Sequence, residues 1–374
     1  MIYYNSDFNS LPDALQLRPL LSSIQNKVPV RHLMPTERVV EDESKYILTH
    51  LSNGCFSLKP NITHQGVLFY GNCDYEQVKK GLYGTYYFKS VKEKSVHSDL
   101  LKYNVLLEQF RLLIKSFPLY DLLSKGIYID EVGVKFILKN AYGLASAYSF
   151  VSPYINLTSS LDLAMFYATH KFNEVGNYEP ADPNTIGIIY VYVLEEPFGV
   201  SSGLSTLGLQ VFQKTFNTKQ FLYRINRGEN FNEKSNVAGF TFKQTKDGSE
   251  YFAQQIKEQE ILPKDDFLAK KLQELGNKIY TGAIAENLRK NKGDCEAGNR
   301  QILEKEGFKI VDGIPSFCVE DLISVDLENI WATIWNRTIG TTSLDKKIIQ
   351  YLQRVPTMEK YKNYFNIVKY YEER

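Results

Sequence analysis

The chain has 374 residues, 43% hydrophobic and 23% charged, a composition suited to one broad globular domain or two modest ones. Its 44 basic and 43 acidic residues leave a formal charge of +1, which excludes a global field for nucleic acid or an anionic membrane. Basic residues in "LRKNKGDCEAGNRQ" and "SLDKKIIQ" alternate with acidic or neutral ones, so they read as solvated helix faces rather than a binding patch.

The start, "MIYYNSDFNSLPDALQLRPLL", has no basic region followed by an apolar core, and no later stretch is apolar over about 18 residues. A cytoplasmic protein with no membrane partner is expected. Cys55, Cys73, Cys295 and Cys318 form no Cys-x-x-Cys pair and have no histidine at zinc-ligand spacing, so neither disulfides nor a metal site are expected. The sequons at Asn61, Asn156 and Asn336 carry no weight in a cytosolic chain. The 26 tyrosines and 22 phenylalanines are spread along the whole sequence, which favours core packing over a stacking surface.

In chain order, "LPDALQLRPLLSSIQ" has helical apolar spacing, and "NKVPVRHLMPTERVVEDE" is a linker broken by two prolines. "GVLFYGN" is a short strand. "VHSDLLKYNVLLEQFRLLIKSF" is the strongest helix, with Leu101, Val105, Phe110 and Ile114 on its apolar face and Pro118 as its stop. "IDEVGVKFILKNAYGL" reads as a second helix. In "YINLTSSLDLAMFYATHKF" a strand meets three hydroxyl residues, Thr158, Ser159 and Ser160, and then a helix; the hydroxyls suit an N-cap, and Asp162 suits the positive end of the dipole.

Next come a polar loop, "NEVGNYEPADPN", a buried strand, "TIGIIYVYVL", and another strand, "KQFLYRINR". "VAGFTFKQTKDGSEYFAQQIKEQEIL" reads as two strands joined by a hairpin turn at Lys246-Asp247-Gly248. "DDFLAKKLQELGNKIY", "AGNRQILEKEGF" and "LDKKIIQYLQRV" make the end of the chain mainly helical, and Trp331 and Trp335 sit at i and i+4 as a packing stripe. The expected layout is an α+β core over 46–268, between a helical segment at 1–45 and a helical region at 269–374 packed on the core.

Three segments present chemistry. The strand Leu68-Phe69-Tyr70 ends at Gly71-Asn72, where a glycine lets the backbone approach a ligand. The hydroxyl junction is the second. In the third, "KEQEILP", Glu258 and Glu260 would share one face of a strand.

That order of segments resembles the ADP-ribosyltransferase fold, and in particular the FRG-domain family, named for a Phe-Arg-Gly tripeptide. The matching residues are Phe69-Tyr70-Gly71, Tyr142-Gly143-Leu144, Thr158-Ser159-Ser160 running into "LDLAMFYA", and Gly239-Phe240-Thr241. The likeness covers about residues 65–265. Tyr70 replaces the family's arginine, Ala141 stands where a histidine usually precedes "YGL", and the spacing from "YGL" to the hydroxyls is longer.

The resemblance implies an ADP-ribosyltransferase-like split β-sheet core with helical N- and C-terminal extensions, and NAD as substrate. Nicotinamide would leave as a neutral molecule while the ribose gains oxocarbenium character, as in glycoside hydrolysis. Glu260 would stabilise that charge, Ser159 would hold the glutamate or the ribose, and Glu258 would orient the acceptor, with arginine side chains one candidate. Tyr70, Gly71, Asn72, Thr158 and Ser160 would complete the NAD-binding set, Gly71 through its backbone to the nicotinamide amide.

Tyr70 offers a ring and a hydroxyl but not the charge of an arginine. Arg224 and Arg227 either compensate or are exposed strand-end charges. The acceptor, protein or nucleic acid, is not specified. A non-catalytic module holding a nucleotide or peptide in the same cleft is the alternative. A glycosidase built on Glu258 and Glu260 is disfavoured, because two carboxylates on one strand face do not flank a sugar from opposite sides.

Overall fold

The computed structural model describes residues 2–3, 8–27, 37–39, 46–50, 56–60, 66–82, 96–117, 127–129, 134–136, 141–148, 150, 152–173, 177–194, 204–206, 220–226, 229–256, 261, 266–291 and 295–317. In chain order the strands are β1 (Ile2–Tyr3), β2 (Glu37–Val39), β3 (Tyr46–His50), β4 (Phe56–Pro60), β5 (Val67–Asn72), β6 (Ile127–Ile129), β7 (Val134–Phe136) and β8 (Tyr154–Thr158). They continue as β9 (His170–Phe172), β10 (Tyr178–Pro180), β11 (Ile186–Val193), β12 (Leu204–Thr206), β13 (Gln220–Arg224), β14 (Val237–Lys243), β15 (Lys278–Tyr280) and β16 (Lys309–Val311).

The fold is mixed α+β around a seven-stranded sheet in the order β1-β14-β11-β5-β8-β13-β12. All its neighbours are antiparallel except β1 against β14. The inner strand β11 is buried on both faces, which explains why "IGIIYVYV" is a continuous apolar run rather than an alternating one. Ile188, Tyr190 and Tyr192 join Leu68, Leu157, Phe221, Tyr223 and Phe231 in one core cluster. Ile189 and Val191 join Val67, Phe69, Phe242 and Phe252 in the other, on the side covered by helices Ala14–Lys27, Leu161–Thr169 and Lys246–Gln255.

Leu17 and Leu21 place the first of these helices in the same core as the sheet. Arg18 ties it to the Leu161–Thr169 helix by a two-pronged contact with the Asp162 carboxylate, at 2.7 and 3.1 Å. A third cluster packs Leu101 and Val105 of the Val96–Ser116 helix against Ile279, Ala283, Ile284 and Leu303. There β15 and β16 pair in parallel between helices Phe267–Leu275, Thr281–Lys290 and Glu296–Lys305. Gln109 borders β15 as a strand would: its amide nitrogen donates to the Lys278 carbonyl and its amide oxygen accepts from the Tyr280 N–H, both at 3.0 Å.

Three expectations are corrected. Residues 129–144 are not one helix: β6 and β7 pair antiparallel, and among the described residues there only Ala141–Ala147 is helical. Ile127, Ile129, Val134 and Phe136 are β-formers spaced by two, and Gly133 weakens a helix through that point. The loop at 173–184 contains β10, which pairs antiparallel with β9. Lys246-Asp247-Gly248 is not a hairpin turn but the first turn of the helix Lys246–Gln255, capped by Thr245 Oγ1 accepting from the Gly248 N–H at 3.2 Å.

The expected strands at 66–72, 154–158, 185–194 and 219–227, the Val96–Ser116 helix and the Leu161–Thr169 helix are present. The region after 265 carries the strands β15 and β16 between its helices. "LDKKIIQYLQRV" and the Trp331/Trp335 stripe lie outside the described residues.

Candidate functional site

The sheet parts between β5 and β8. Phe69 and Thr158 are the one register pair described between these strands, whereas β5 pairs with β11 along its whole length. Past Phe69 the residues Tyr70, Gly71 and Asn72 diverge from Leu157 and Asn156, and a cavity of about 510 Å³ occupies the gap. Its aromatic side is Tyr167, Phe172 and Tyr178, from the end of the Leu161–Thr169 helix and the β9–β10 ribbon. Its polar side is Cys73, Asp74, Gln77, Asp182 and Thr185.

Four of the expected binding residues, Tyr70, Gly71, Asn72 and Thr158, line this cavity. Tyr70 is half-buried, with its ring 6.2 Å from that of Tyr190, and its hydroxyl accepts from Asn72 Nδ2 at 3.4 Å. Burial pushes the Tyr70 phenol above its ordinary pKa, so it stays neutral through the physiological range. Asn72 Oδ1 accepts from the Asp74 N–H at 2.8 Å, which fixes the turn into the Tyr75–Val78 helix.

Gly71 is a glycine for a reason the sequence did not show. A Cβ there would lie 1.9 Å from the Ala164 carbonyl oxygen, so the missing side chain lets the Leu161–Thr169 helix cross the strand.

The hydroxyl junction divides its labour. Thr158 Oγ1 accepts from the Ser160 N–H at 3.1 Å, and Ser160 Oγ caps the helix by accepting from the Leu163 N–H at 3.2 Å. Ser159 is buried, and its carbonyl oxygen lies 3.5 Å from Gln25 Nε2. Neither Ser159 nor Ser160 is among the residues lining the cavity. Glu258 and Glu260 lie outside the described residues; the described chain before them is the helix ending at Gln255 and capped by Ile256. Arg224 is exposed at the end of β13, and Arg227 is outside the described residues.

Several lining residues escaped the sequence reading. His170 is buried and stacked on Phe166, with centroids 4.2 Å apart, and its Nδ1 lies 3.0 Å from the Phe166 carbonyl oxygen. A carbonyl only accepts, so this contact needs the proton on Nδ1. Burial and the neighbouring Asp74 push the Cys73 thiol up, against a smaller pull from Lys171, so Cys73 is a thiol rather than a thiolate at neutral pH.

Asn156 donates through Nδ2 to the Ser146 carbonyl at 2.7 Å, which fixes its amide orientation. Its Oδ1 is buried and accepts no hydrogen bond, a state that costs roughly 1–3 kcal/mol if nothing fills it. A polar residue inside the apolar strand "YINLT" was the available signal. The aromatic side was also visible, as the density of rings in "FYATHKF" followed by Tyr178.

Among the described residues no three His, Cys, Asp or Glu side chains are grouped to hold a metal ion. Lys171 is the one lysine, and no arginine appears, among the described lining residues. Nor is any helix among the described residues long and apolar enough to cross a membrane. Comparison with protein-family models, with curated proteins and with solved structures found no match for the chain.

Proposed function

We propose that the cavity at the parted sheet binds NAD and that the protein cleaves its nicotinamide–ribose bond, as an FRG-type ADP-ribosyltransferase or NAD glycohydrolase. On this reading the sheet is the split core of the ADP-ribosyltransferase fold. The observation that supports it is the meeting, at one cavity, of Tyr70-Gly71-Asn72 and Thr158, two motif segments far apart in sequence.

Chemically, the C–N bond to C1′ of the ribose breaks with its electron pair leaving on nicotinamide, which departs neutral. The ribose passes through an oxocarbenium-like transition state that Glu260 stabilises by its charge. A water or an acceptor side chain attacks C1′ and loses its proton, and Glu258 orients that acceptor. Ser159, beside the cavity wall at Thr158, supports the glutamate or the ribose. Asn72 and the Gly71 backbone face the bound ring, and Ser160 holds the junction in place through its cap.

A specific observation favours the second reading, a non-catalytic module for a nucleotide or peptide. Tyr70 stands where the family has arginine, and no arginine is found among the described lining residues to meet a diphosphate. Release of nicotinamide from NAD, measured for the wild type beside Glu260→Gln, separates the two. The catalytic reading expects release from the wild type and at least a hundredfold less from the variant. No release from either, with NAD still bound, establishes the module instead.

A further inference from the structure

We infer that Gln244 is the positioning residue of this cavity: from behind the wall, its side-chain amide holds the end of β5 and the end of the Leu161–Thr169 helix at the separation a ligand meets. This rests on the NAD reading above for the identity of the ligand, and goes further by naming what sets the width of the site.

Gln244 directly follows β14 and is 3% exposed. Its Nε2 donates to the Ala168 carbonyl at 2.7 Å and to the Cys73 carbonyl at 3.2 Å, which uses both hydrogens of the amide. Its backbone N–H donates to the Thr185 carbonyl at 3.1 Å. Cys73 and Thr185 line the cavity, and Ala168 stands in sequence between the lining residues Tyr167 and His170. Gln244 is not among the described lining residues, so it acts through them. One residue thereby ties together the strand end, the aromatic side and the polar side.

Two further observations make this junction a specific one. The Ala168 carbonyl is among the last four of its helix, which have no partner within the helix. Its neighbours are met from nearby, the Phe166 carbonyl by His170 Nδ1 and the Thr169 carbonyl by the Ala181 N–H at 3.0 Å. Ala168 is met instead by Gln244, from the far side of β11 in sequence. Gly187, in β11, leaves the room for it. A Cβ there would lie 2.6 Å from Gln244 Nε2 and 2.9 Å from the Ala168 carbonyl oxygen, so a side chain at 187 and the amide bridge exclude each other.

The Gln244 Oε1 is buried and accepts no hydrogen bond, so donation is the whole of the amide's work. A side chain of the same shape that cannot donate therefore isolates the effect. In Gln244→Glu the ionised carboxylate faces two carbonyl oxygens, whereas the protonated carboxyl has one O–H and restores one of the two bonds. Burial beside carbonyls favours the protonated form and raises the folded-state pKa of the introduced carboxyl above its unfolded value. The damage is then fully present above the folded value and shrinks as pH falls through it. The titratable groups around it are Cys73 and Asp74 after β5, His170 and Lys171 past the helix, Asp182 before β11, and Lys243 and Lys246 on its own segment. All are shared with the parent protein, so the difference from the parent reports the new carboxyl.

The test is isothermal titration with NAD of the full-chain protein carrying Glu260→Gln to stop turnover. This parent is compared with Gln244→Glu and Gln244→Met added to it, at about pH 8 and about pH 5.5. Both additions are expected to weaken NAD about tenfold at the higher pH. At the lower pH the Gln244→Glu deficit should close to within about threefold, while the Gln244→Met deficit stays. A second readout needs no ligand: alkylation of Cys73 by N-ethylmaleimide, followed by peptide mass spectrometry. It should run about fivefold faster than in the parent for both variants at the higher pH, with the same recovery for Gln244→Glu alone.

A lowered Tm with NAD affinity unchanged makes Gln244 a merely structural residue and overturns the inference. A Gln244→Glu deficit of equal size at both pH values overturns it too, because the donor then does not matter. If Gln244→Glu does not fold at the higher pH, Gln244→Met decides by its affinity alone. If NAD fails to bind the parent protein, the NAD reading falls, and Cys73 decides the rest: faster alkylation in the variants upholds the role of Gln244, and unchanged alkylation overturns it.

Discussion

Gly71→Ala puts one methyl group where β5 passes under the Leu161–Thr169 helix. The new Cβ would lie 1.9 Å from the Ala164 carbonyl oxygen, 2.9 Å from its carbon and 3.0 Å from the Ala168 nitrogen. All three are backbone atoms, so no side chain is there to rotate away. Reaching an ordinary contact of 3.4 Å requires the helix and strand to separate by roughly 1.5 Å.

That movement loosens Leu163, Met165 and Phe166, which pack on Val67, Phe69 and Val191 in the same cluster. Overpacking costs about 1–3 kcal/mol, and a clash of backbone with backbone belongs at the upper end, about 3 kcal/mol. The expected result is a Tm lower by about 4 °C, and a lower urea midpoint at unchanged slope. Tyr167 and His170, at the end of the same helix, line the cavity, so ligand affinity should fall with stability. A Tm within about 1 °C of wild type would refute the account, because no side-chain adjustment is available to absorb the methyl.

Gly298→Ala is the opposite case: a Cβ there meets nothing within 4 Å, and the residue lies inside the Glu296–Lys305 helix. It should stabilise the protein by about 0.5–1 kcal/mol, read as a rise in the denaturation midpoint. Glu229 sets a pH prediction. Burial opposes its ionisation, yet the Lys234 ammonium, the Asn226 N–H and the Tyr223 hydroxyl together hold its pKa below the ordinary 4.5. The folded-state value is the depressed one, so its contribution is present above the unfolded pKa and is lost as pH falls through the folded value. The stability gap between wild type and Glu229→Gln should therefore be constant near neutrality and close below pH 4.5; a gap that widens on acidification refutes the sign.

Elements whose local chemistry admits one answer were legible from sequence. β11 is apolar at every buried position, and the Val96–Ser116 helix repeats Leu101, Val105 and Ile114 at helical spacing. The Ser160 cap was legible too, because an N-cap is a property of a few adjacent residues. Errors arose where two structures share a signature. Asp247-Gly248 serves a hairpin turn or the first turn of a helix, and the decision lies with Thr245 before it and with Phe252 turning onto the sheet. The three-residue strands β6, β7, β9 and β10 are too short for their alternation to stand out.

The cavity was half visible. Its strand-glycine and its threonine were found because each is a local motif. The aromatic side, His170 and Asn156 come from segments whose proximity is decided by strand order, which no local pattern encodes. Gly71 was singled out for letting the backbone approach a ligand, and it does line the cavity, while the place of its missing side chain is taken by the Ala164 carbonyl.

The lone rung between Phe69 and Thr158 also has a mechanical meaning. Every other neighbouring pair in the seven-stranded sheet shares at least two described register pairs, and β11 with β14 shares seven. Backbone pairing across the sheet is therefore thinnest at one ladder position, with β1, β14, β11 and β5 on one flank and β8, β13 and β12 on the other. In its backbone ladder the sheet is two plates joined at a single stitch, while the side-chain core of Leu68, Tyr190, Leu157 and Phe221 bridges the two. A molecule seated in the gap touches both plates, so its binding adds a further fastening to the rung and to the core that already join them.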